Sequence, residues 1–173
     1  MIMNATHVHL VLNHVAIMAA VFSLFVFAFG FIRKNVSVIN VALTGFVVAA
    51  LAVVPVFLTG EPAEEAVEQL PGILESAIEQ HEEAAELAVW LVVITGVVAL
   101  AGLVLWNRAA LRTNVFYGFF LVLALSAAVS IAYTGFLGGM IRHPEINAPG
   151  TVQNAPAENG GGADTETESE DND

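Results

Sequence analysis

The sequence contains no cysteine among its 173 residues, which excludes disulfide bonds, thiolate metal sites and a cysteine nucleophile. Charged residues are also scarce, at 13% of the chain, whereas a soluble domain carries roughly a quarter. Only five residues are Lys or Arg, against seventeen Asp or Glu, so the formal net charge is −12. Nucleic-acid phosphates require clustered cations, and this balance therefore argues against nucleic acid as a partner.

Long apolar runs dominate the chain, which is 57% hydrophobic with a mean hydropathy of +0.74. Four runs are present, at residues 10–32, 36–59, 84–106 and 115–137. Each supplies the ~20 apolar residues that a helix needs to cross ~30 Å of hydrocarbon. None alternates apolar and polar residues as barrel strands do. The short links between runs favour antiparallel neighbours. The sequence thus predicts an all-α membrane protein, an antiparallel up-down four-helix transmembrane bundle within residues 1–146.

The charges are sorted by these runs. Arg33 and Lys34 follow the first run, and Arg108 and Arg112 lie between the third and fourth. Every Asp and Glu follows the second or the fourth run, with Arg142 the only cation among them. Because loops rich in Lys and Arg stay in the cytoplasm, both termini are predicted to lie outside it. No cation precedes the first run, which favours an uncleaved anchor over a signal peptide.

The loop between the second and third runs has a helical pattern. Its apolar positions recur at spacings of three and four, along one helical face, and they are Val67, Leu70, Leu74, Ala77 and His81. This pattern predicts an outer amphipathic helix at about 62–80, interrupted at Pro71, that runs into the third span. Its phase points His81 inward and turns the neighbouring glutamates to water. Residues 147–173, rich in Gly, Pro, Asn, Glu and Asp, are predicted to form a disordered acidic tail.

All five histidines fall near the outer ends of the predicted spans. Imidazole is the commonest protein metal ligand and also a haem ligand. His14 and His81 are the candidate cofactor ligands, because both are expected to point into the bundle. The candidate metal ligands are His9, His14, His81, His143, Glu61, Glu65 and Glu82. An interfacial position for the histidines and a solvated face for the glutamates explain the same pattern without a metal.

The fourth span also carries polar side chains. Ser126, Ser130, Tyr133 and Thr134 form a partly polar stripe along it. Polar groups in a transmembrane helix favour the helix–helix interface. The stripe is therefore expected to face the bundle interior.

Four segments resemble those of small four-span bacterial membrane proteins. They are HVHLVLNH from His7, TGEPAEE from Thr59, HEEAA from His81 and GGMIRHPEI from Gly138. The resemblance covers residues 5–146 and leaves out the tail. It implies a bacterial origin and an inner-membrane location, and it brings no reaction, cofactor or site residue with it.

Three functions are compatible with these features. The first is a redox-associated subunit that holds a transition metal ion or haem b at its periplasmic face. The second is a non-enzymatic accessory or structural subunit whose polar mouth docks a periplasmic or membrane partner. The third, cation or proton transport, is disfavoured because the spans carry no ionisable relay below His14. No arrangement of serines and histidines favours a hydrolase or transferase, so the sequence points away from an enzyme.

Overall fold

The computed structural model describes residues 5–68, 75–105 and 113–142. Five helices account for almost all of these residues, and no strand occurs among them. The helices are α1 (Ala5–Ile32), α2 (Val36–Leu58), α3 (Gly60–Glu68), α4 (Glu75–Val104) and α5 (Asn114–Arg142). All except α3 are long and apolar enough to cross a membrane. The predicted all-α membrane fold is confirmed. The predicted tail at 147–173 lies outside the described residues.

The helices follow one another around a bundle. α1 packs on α2, α2 on α4 and α4 on α5, and α1 and α5 pack less closely than these three pairs. The end where α1 stops and α2 begins, beside Arg33 and Lys34, is called the basic end below. The opposite end, where α1 and α4 begin, is called the histidine end. The short α3 lies against α1 and α2 at the histidine end.

The turn between α1 and α2 follows from its residues. Lys34 has a left-handed backbone with φ 51° and is the only described non-glycine residue with positive φ. The N–H of Asn35 donates to Gly30 O at 2.9 Å, and the N–H of Lys34 donates to Phe31 O at 3.1 Å. This pair of bonds closes a helix C-terminus in a Schellman motif. Asn35 Oδ1 then accepts from the N–H of Val38 at 3.2 Å and caps α2.

The core changes composition along the bundle. Near the basic end it is built from rings, with Phe120 packed against Phe27 and Phe46 at centroid distances of 4.7 and 5.2 Å. Toward the histidine end it is built from small and branched residues. These are Ala16, Ala20, Ala49, Val53, Val56, Val92 and Ala127. Large apolar side chains such as Phe22 and Phe25 are exposed on the outer surface, as expected of a helix bundle that faces lipid.

The helix bounds differ from the apolar runs at the third span. α4 begins at Glu75, whereas the run begins at residue 84. Hydropathy marks where lipid contact starts, and no proline or glycine lies between 75 and 84 to interrupt the helix there. Residues 75–80, which the sequence assigns to the surface helix that runs into the third span, are therefore the first turns of α4. The predicted break at Pro71 lies outside the described residues.

The polar stripe on α5 does not face the interior as expected. Ser126 and Tyr133 are exposed, while Ser130 and Thr134 are half-buried. The prediction is wrong for Ser126 and Tyr133, and the Ser126 hydroxyl donates to Val122 O at 3.0 Å within its own helix. That bond satisfies the donor and removes the need for a partner in another helix.

Candidate functional site

The buried face of α1 positions His9. Ala16, Ala20, Ser23 and Phe27 are buried at intervals of four, three and four residues, which defines one face of the helix. His9 lies two turns before Ala16 on that same face. Its imidazole is half-buried at the histidine end.

His9 closes the end of α2. Its Nδ1 lies 3.1 Å from Val56 O and 3.2 Å from Thr59 Oγ1. A carbonyl oxygen can only accept, so Nδ1 carries the proton and donates it. The Thr59 hydroxyl itself donates to Pro55 O at 2.8 Å and so is an acceptor toward His9. Together the two side chains bond Pro55 O and Val56 O in the last turn of α2, which also accept the backbone N–H of Thr59.

His81 occupies the matching place on α4. Ile78, Ala84 and Ala88 are buried on its face, and Glu82 is exposed beside it. The predicted inward orientation of His81 is confirmed. The predicted buried face is wrong by one residue at Ala77, which is half-buried, whereas the next residue, Ile78, is buried.

The imidazole of His81 joins α4 to α5. Its Nδ1 lies 3.0 Å from Thr134 O, and so this nitrogen also carries a proton and donates it. The ring lies against Gly138, where an added Cβ would be 3.0 Å from Cε1 and 3.2 Å from Nδ1. Only glycine leaves this space for the ring.

In both imidazoles the same ring nitrogen, Nε2, is available to bind a ligand. With Nδ1–H donated to a carbonyl, the lone pair of each neutral ring is on Nε2. No described residue hydrogen-bonds Nε2 of either ring. Both rings are half-buried at the histidine end of the bundle. The arrangement therefore offers two neutral nitrogen ligands at one end of the bundle.

His14 does not take part. It is exposed, and its Nδ1 lies 2.6 Å from Leu10 O in its own helix. The prediction that it points inward is wrong. A residue five positions after His9 is rotated about 140° around the helix axis, so the two cannot share the buried face.

The carboxylates predicted as ligands are not gathered beside the imidazoles. Glu61, Glu65 and Glu82 are all exposed. Within residues 5–68, 75–105 and 113–142, no three His, Asp or Glu side chains are grouped as a metal site requires. His143 lies outside the described residues. The metal site therefore stays a prediction, and among the described residues His9 and His81 are its remaining candidate ligands.

No protein-family model, curated protein or solved structure matches this chain. Function is therefore inferred from the geometry of the histidine end. The backbone partners at this end, Val56 O and Thr134 O, cannot be predicted from the sequence, because every residue has a carbonyl. The sequence also favours His14 over His9 as a ligand. The small residues Ala16 and Ala20 mark the buried face of α1 and would have corrected that ranking.

Proposed function

We propose that this chain is a multi-pass subunit of the bacterial inner membrane that binds a transition metal ion or haem b at its histidine end. His9 and His81 are the proposed ligands, through Nε2. The observation that carries the proposal is the Nδ1–H bond from each ring to a backbone carbonyl. Metal-binding histidines almost always donate their other ring N–H in this way, which fixes the tautomer and the ring orientation.

The proposed metal centre serves electron transfer within a membrane redox complex. A transition metal or haem iron held by imidazole supplies a one-electron couple when bound. This chain contributes the ligands, their fixed tautomer and the apolar bundle beneath them. His143 and the glutamates Glu61, Glu65 and Glu82 are the further donors proposed for an ion that needs more than two ligands.

The histidine end is proposed to face the periplasm. Arg33 and Lys34 lie at the basic end, and Arg108 and Arg112 come between α4 and α5 in the sequence, outside the described residues. Positive loops are retained in the cytoplasm, so the opposite end and both termini lie outside it. A cofactor there would exchange electrons with a periplasmic or membrane partner.

The alternative is an accessory subunit without a cofactor. It is favoured by the fact that the same imidazole hydrogen bonds join helices. His9 links α1 to α2, and His81 links α4 to α5. Such bonds fasten the outer end of the bundle without any metal, and its exposed surface would then serve as a docking face for a partner.

Elemental analysis and an absorption spectrum of the full chain in detergent separate these functions. We expect wild type to contain about one metal or haem per chain, and His9→Asn and His81→Asn to lose it. Asparagine keeps a donor at the Nδ1 position and removes Nε2. The exposed His7 provides the control variant, His7→Ala. Wild type purified from metal- and haem-replete cells with neither group would favour the accessory subunit.

A further inference from the structure

α4 repeats the buried face of α1. When His9 is aligned with His81, the buried residues of the two helices fall at the same intervals. Ala16, Ala20, Ser23, Phe27 and Gly30 in α1 correspond to Ala88, Val92, Thr95, Ala99 and Gly102 in α4. Both sets include one buried hydroxyl, at Ser23 and Thr95, and end on a buried glycine.

α5 repeats the buried face of α2 in the same way. When Asn35 is aligned with Thr113, the core positions of the two helices coincide. Ile39, Ala42, Phe46, Ala49 and Val53 in α2 correspond to Tyr117, Phe120, Ala124, Ala127 and Ile131 in α5. The first four are buried in both helices, and Ile131 is partly buried against the same core as Val53.

Individual contacts near the basic end repeat as well. Asn35 Oδ1 accepts from the N–H of Val38, and Thr113 Oγ1 accepts from the N–H of Phe116, both at 3.2 Å. The preceding glycines meet the corresponding side chains. A Cβ on Gly30 would be 3.1 Å from Val38, and one on Gly102 would be 3.2 Å from Phe116.

The repeat reaches the histidines. In the alignment of α2 with α5, Val56 corresponds to Thr134, and Gly60 corresponds to Gly138. These are the residues that the imidazoles contact. His9 donates to Val56 O and lies beside Gly60, and His81 donates to Thr134 O and lies beside Gly138. In each hairpin, therefore, an imidazole of the first helix hydrogen-bonds a backbone carbonyl of the second helix at the histidine end.

We propose that α1–α2 and α4–α5 are two copies of one hairpin unit, and that His9 and His81 are equivalent half-sites that together bind a single Cu(I) ion through Nε2. This proposal rests on the proposed function and specifies which metal ion the histidines bind. His9 belongs to the α1–α2 hairpin and His81 to the α4–α5 hairpin, so each hairpin contributes one imidazole. A metal ion bound by both half-sites must accept two identical donors, the Nε2 atoms of the two imidazoles.

The chemistry of the donors selects the ion. Both are neutral imidazoles, which suit zinc, copper, iron and nickel, so the number of donors must distinguish among these metals. Cu(I), a d10 ion, is satisfied by two nitrogen donors. Structural zinc requires four ligands, and calcium and magnesium require oxygen donors. No third His, Asp or Glu side chain is grouped with the imidazoles in the described part of the chain.

The repeat is broken at one place that explains the shape of the bundle. Gly96 of α4 lies directly against Ala50 and Phe46 O of α2. Its counterpart in α1 is the buried residue Leu24. Leu24 belongs to the same core cluster as Phe120 of α5. α1 and α5 pack less closely than α4 and α2, where Gly96 allows the close approach. The two hairpins are thus equivalent at the histidine end and differ where the halves meet.

Anaerobic titration of the full chain in detergent with Cu(I), against a chromophoric Cu(I) chelator, tests the proposal. We expect one Cu(I) per chain, with His9→Asn and His81→Asn each weakening binding by more than about 100-fold, since even an outer residue of a metal site contributes 10–100-fold. The two losses should be equal within about threefold, because the half-sites are equivalent. His14→Ala should bind as wild type does. Circular dichroism confirms the helical fold of each variant.

Several results would overturn the inference. Two Cu(I) per chain would mean independent sites, and unequal effects of the two variants would mean that the halves are not equivalent. A Soret band after addition of haemin, without Cu(I) binding, would overturn the choice of ligand and leave the proposed function standing. Binding of neither Cu(I), nor haemin, nor any ion found by elemental analysis would overturn the proposed function itself. In that case, equal thermal destabilisation by His9→Ala and His81→Ala would still support two equivalent hairpins.

Discussion

His81 and Gly138 are in direct contact across the α4–α5 interface, and a methyl group at position 138 would lie within 3.0 Å of the imidazole Cε1. The glycine thus determines whether the ring can reach Thr134 O. This close approach joins a packing requirement to the placement of a candidate ligand. It gives a test that changes no histidine.

Gly138→Ala should displace the imidazole and weaken its hydrogen bond. Alanine is favoured over glycine in a helix interior by about 1 kcal/mol, but here the ring must shift to admit the methyl group. Gly135→Ala is the matched control, because a Cβ at Gly135 meets nothing within 4 Å. We expect thermal unfolding in detergent to give Gly138→Ala a lower Tm than Gly135→Ala. Equal Tm values would show that the ring is not held against this glycine.

Gly45 and Ser23 form a second close contact, between α1 and α2. An added methyl at Gly45 would collide with Ser23 Oγ, which is buried. Overpacking of this kind costs about 1–3 kcal/mol, and we expect Gly45→Ala to lower the free energy of unfolding by that amount. Ser23→Ala removes the hydroxyl, so the double variant Ser23→Ala/Gly45→Ala should recover most of the loss. Denaturation of the four proteins in a double-mutant cycle measures the coupling, and additive effects would contradict the contact.

Lys34 is in a conformation that suits glycine better than lysine. A left-handed backbone costs a residue with a Cβ roughly 1–2 kcal/mol relative to the ordinary helical region. Lys34→Gly should therefore raise the Tm. Arg33→Gly removes the same charge at a neighbouring position whose φ is not positive, and should not raise it. If both variants were stabilised alike, charge rather than backbone strain would be responsible.

The sequence predicts those parts of the structure that depend on hydropathy and on the length of the apolar runs. The four spans and the inward face of His81 follow from these, since the start of α4 mixes glutamates with apolar residues and so reveals its phase. α1 offers no such contrast. Its residues are apolar on all sides, and both lipid and the core accept apolar residues, so hydropathy does not separate the half-buried His9 from the exposed His14.

The repeated hairpin was also hidden from the sequence. The two halves share buried positions rather than residue identities or sizes. Phe27 corresponds to Ala99, and Phe46 corresponds to Ala124. A large residue in one half is compensated by a small one in the other, because both fill the same core. Only the burial pattern and the repeated caps bring the correspondence out. The carbonyls of Val56 and Thr134 are backbone groups and could be found only from the fold.

The hydrogen bond from His9 to Val56 O should stabilise the α1–α2 hairpin whether or not a metal binds. His9→Ala leaves a carbonyl at the end of α2 without this donor, and we expect a loss of about 1 kcal/mol in the free energy of unfolding. His9→Asn keeps an N–H at the same place on the side chain and should lose less. His7→Ala, at an exposed position of the same helix turn, should be neutral. Unfolding by chemical denaturant in mixed micelles, with chelator present throughout, isolates this structural contribution from any effect of bound metal. Equal losses for the alanine and asparagine variants would mean that His9 stabilises the hairpin through ring packing rather than through its hydrogen bond.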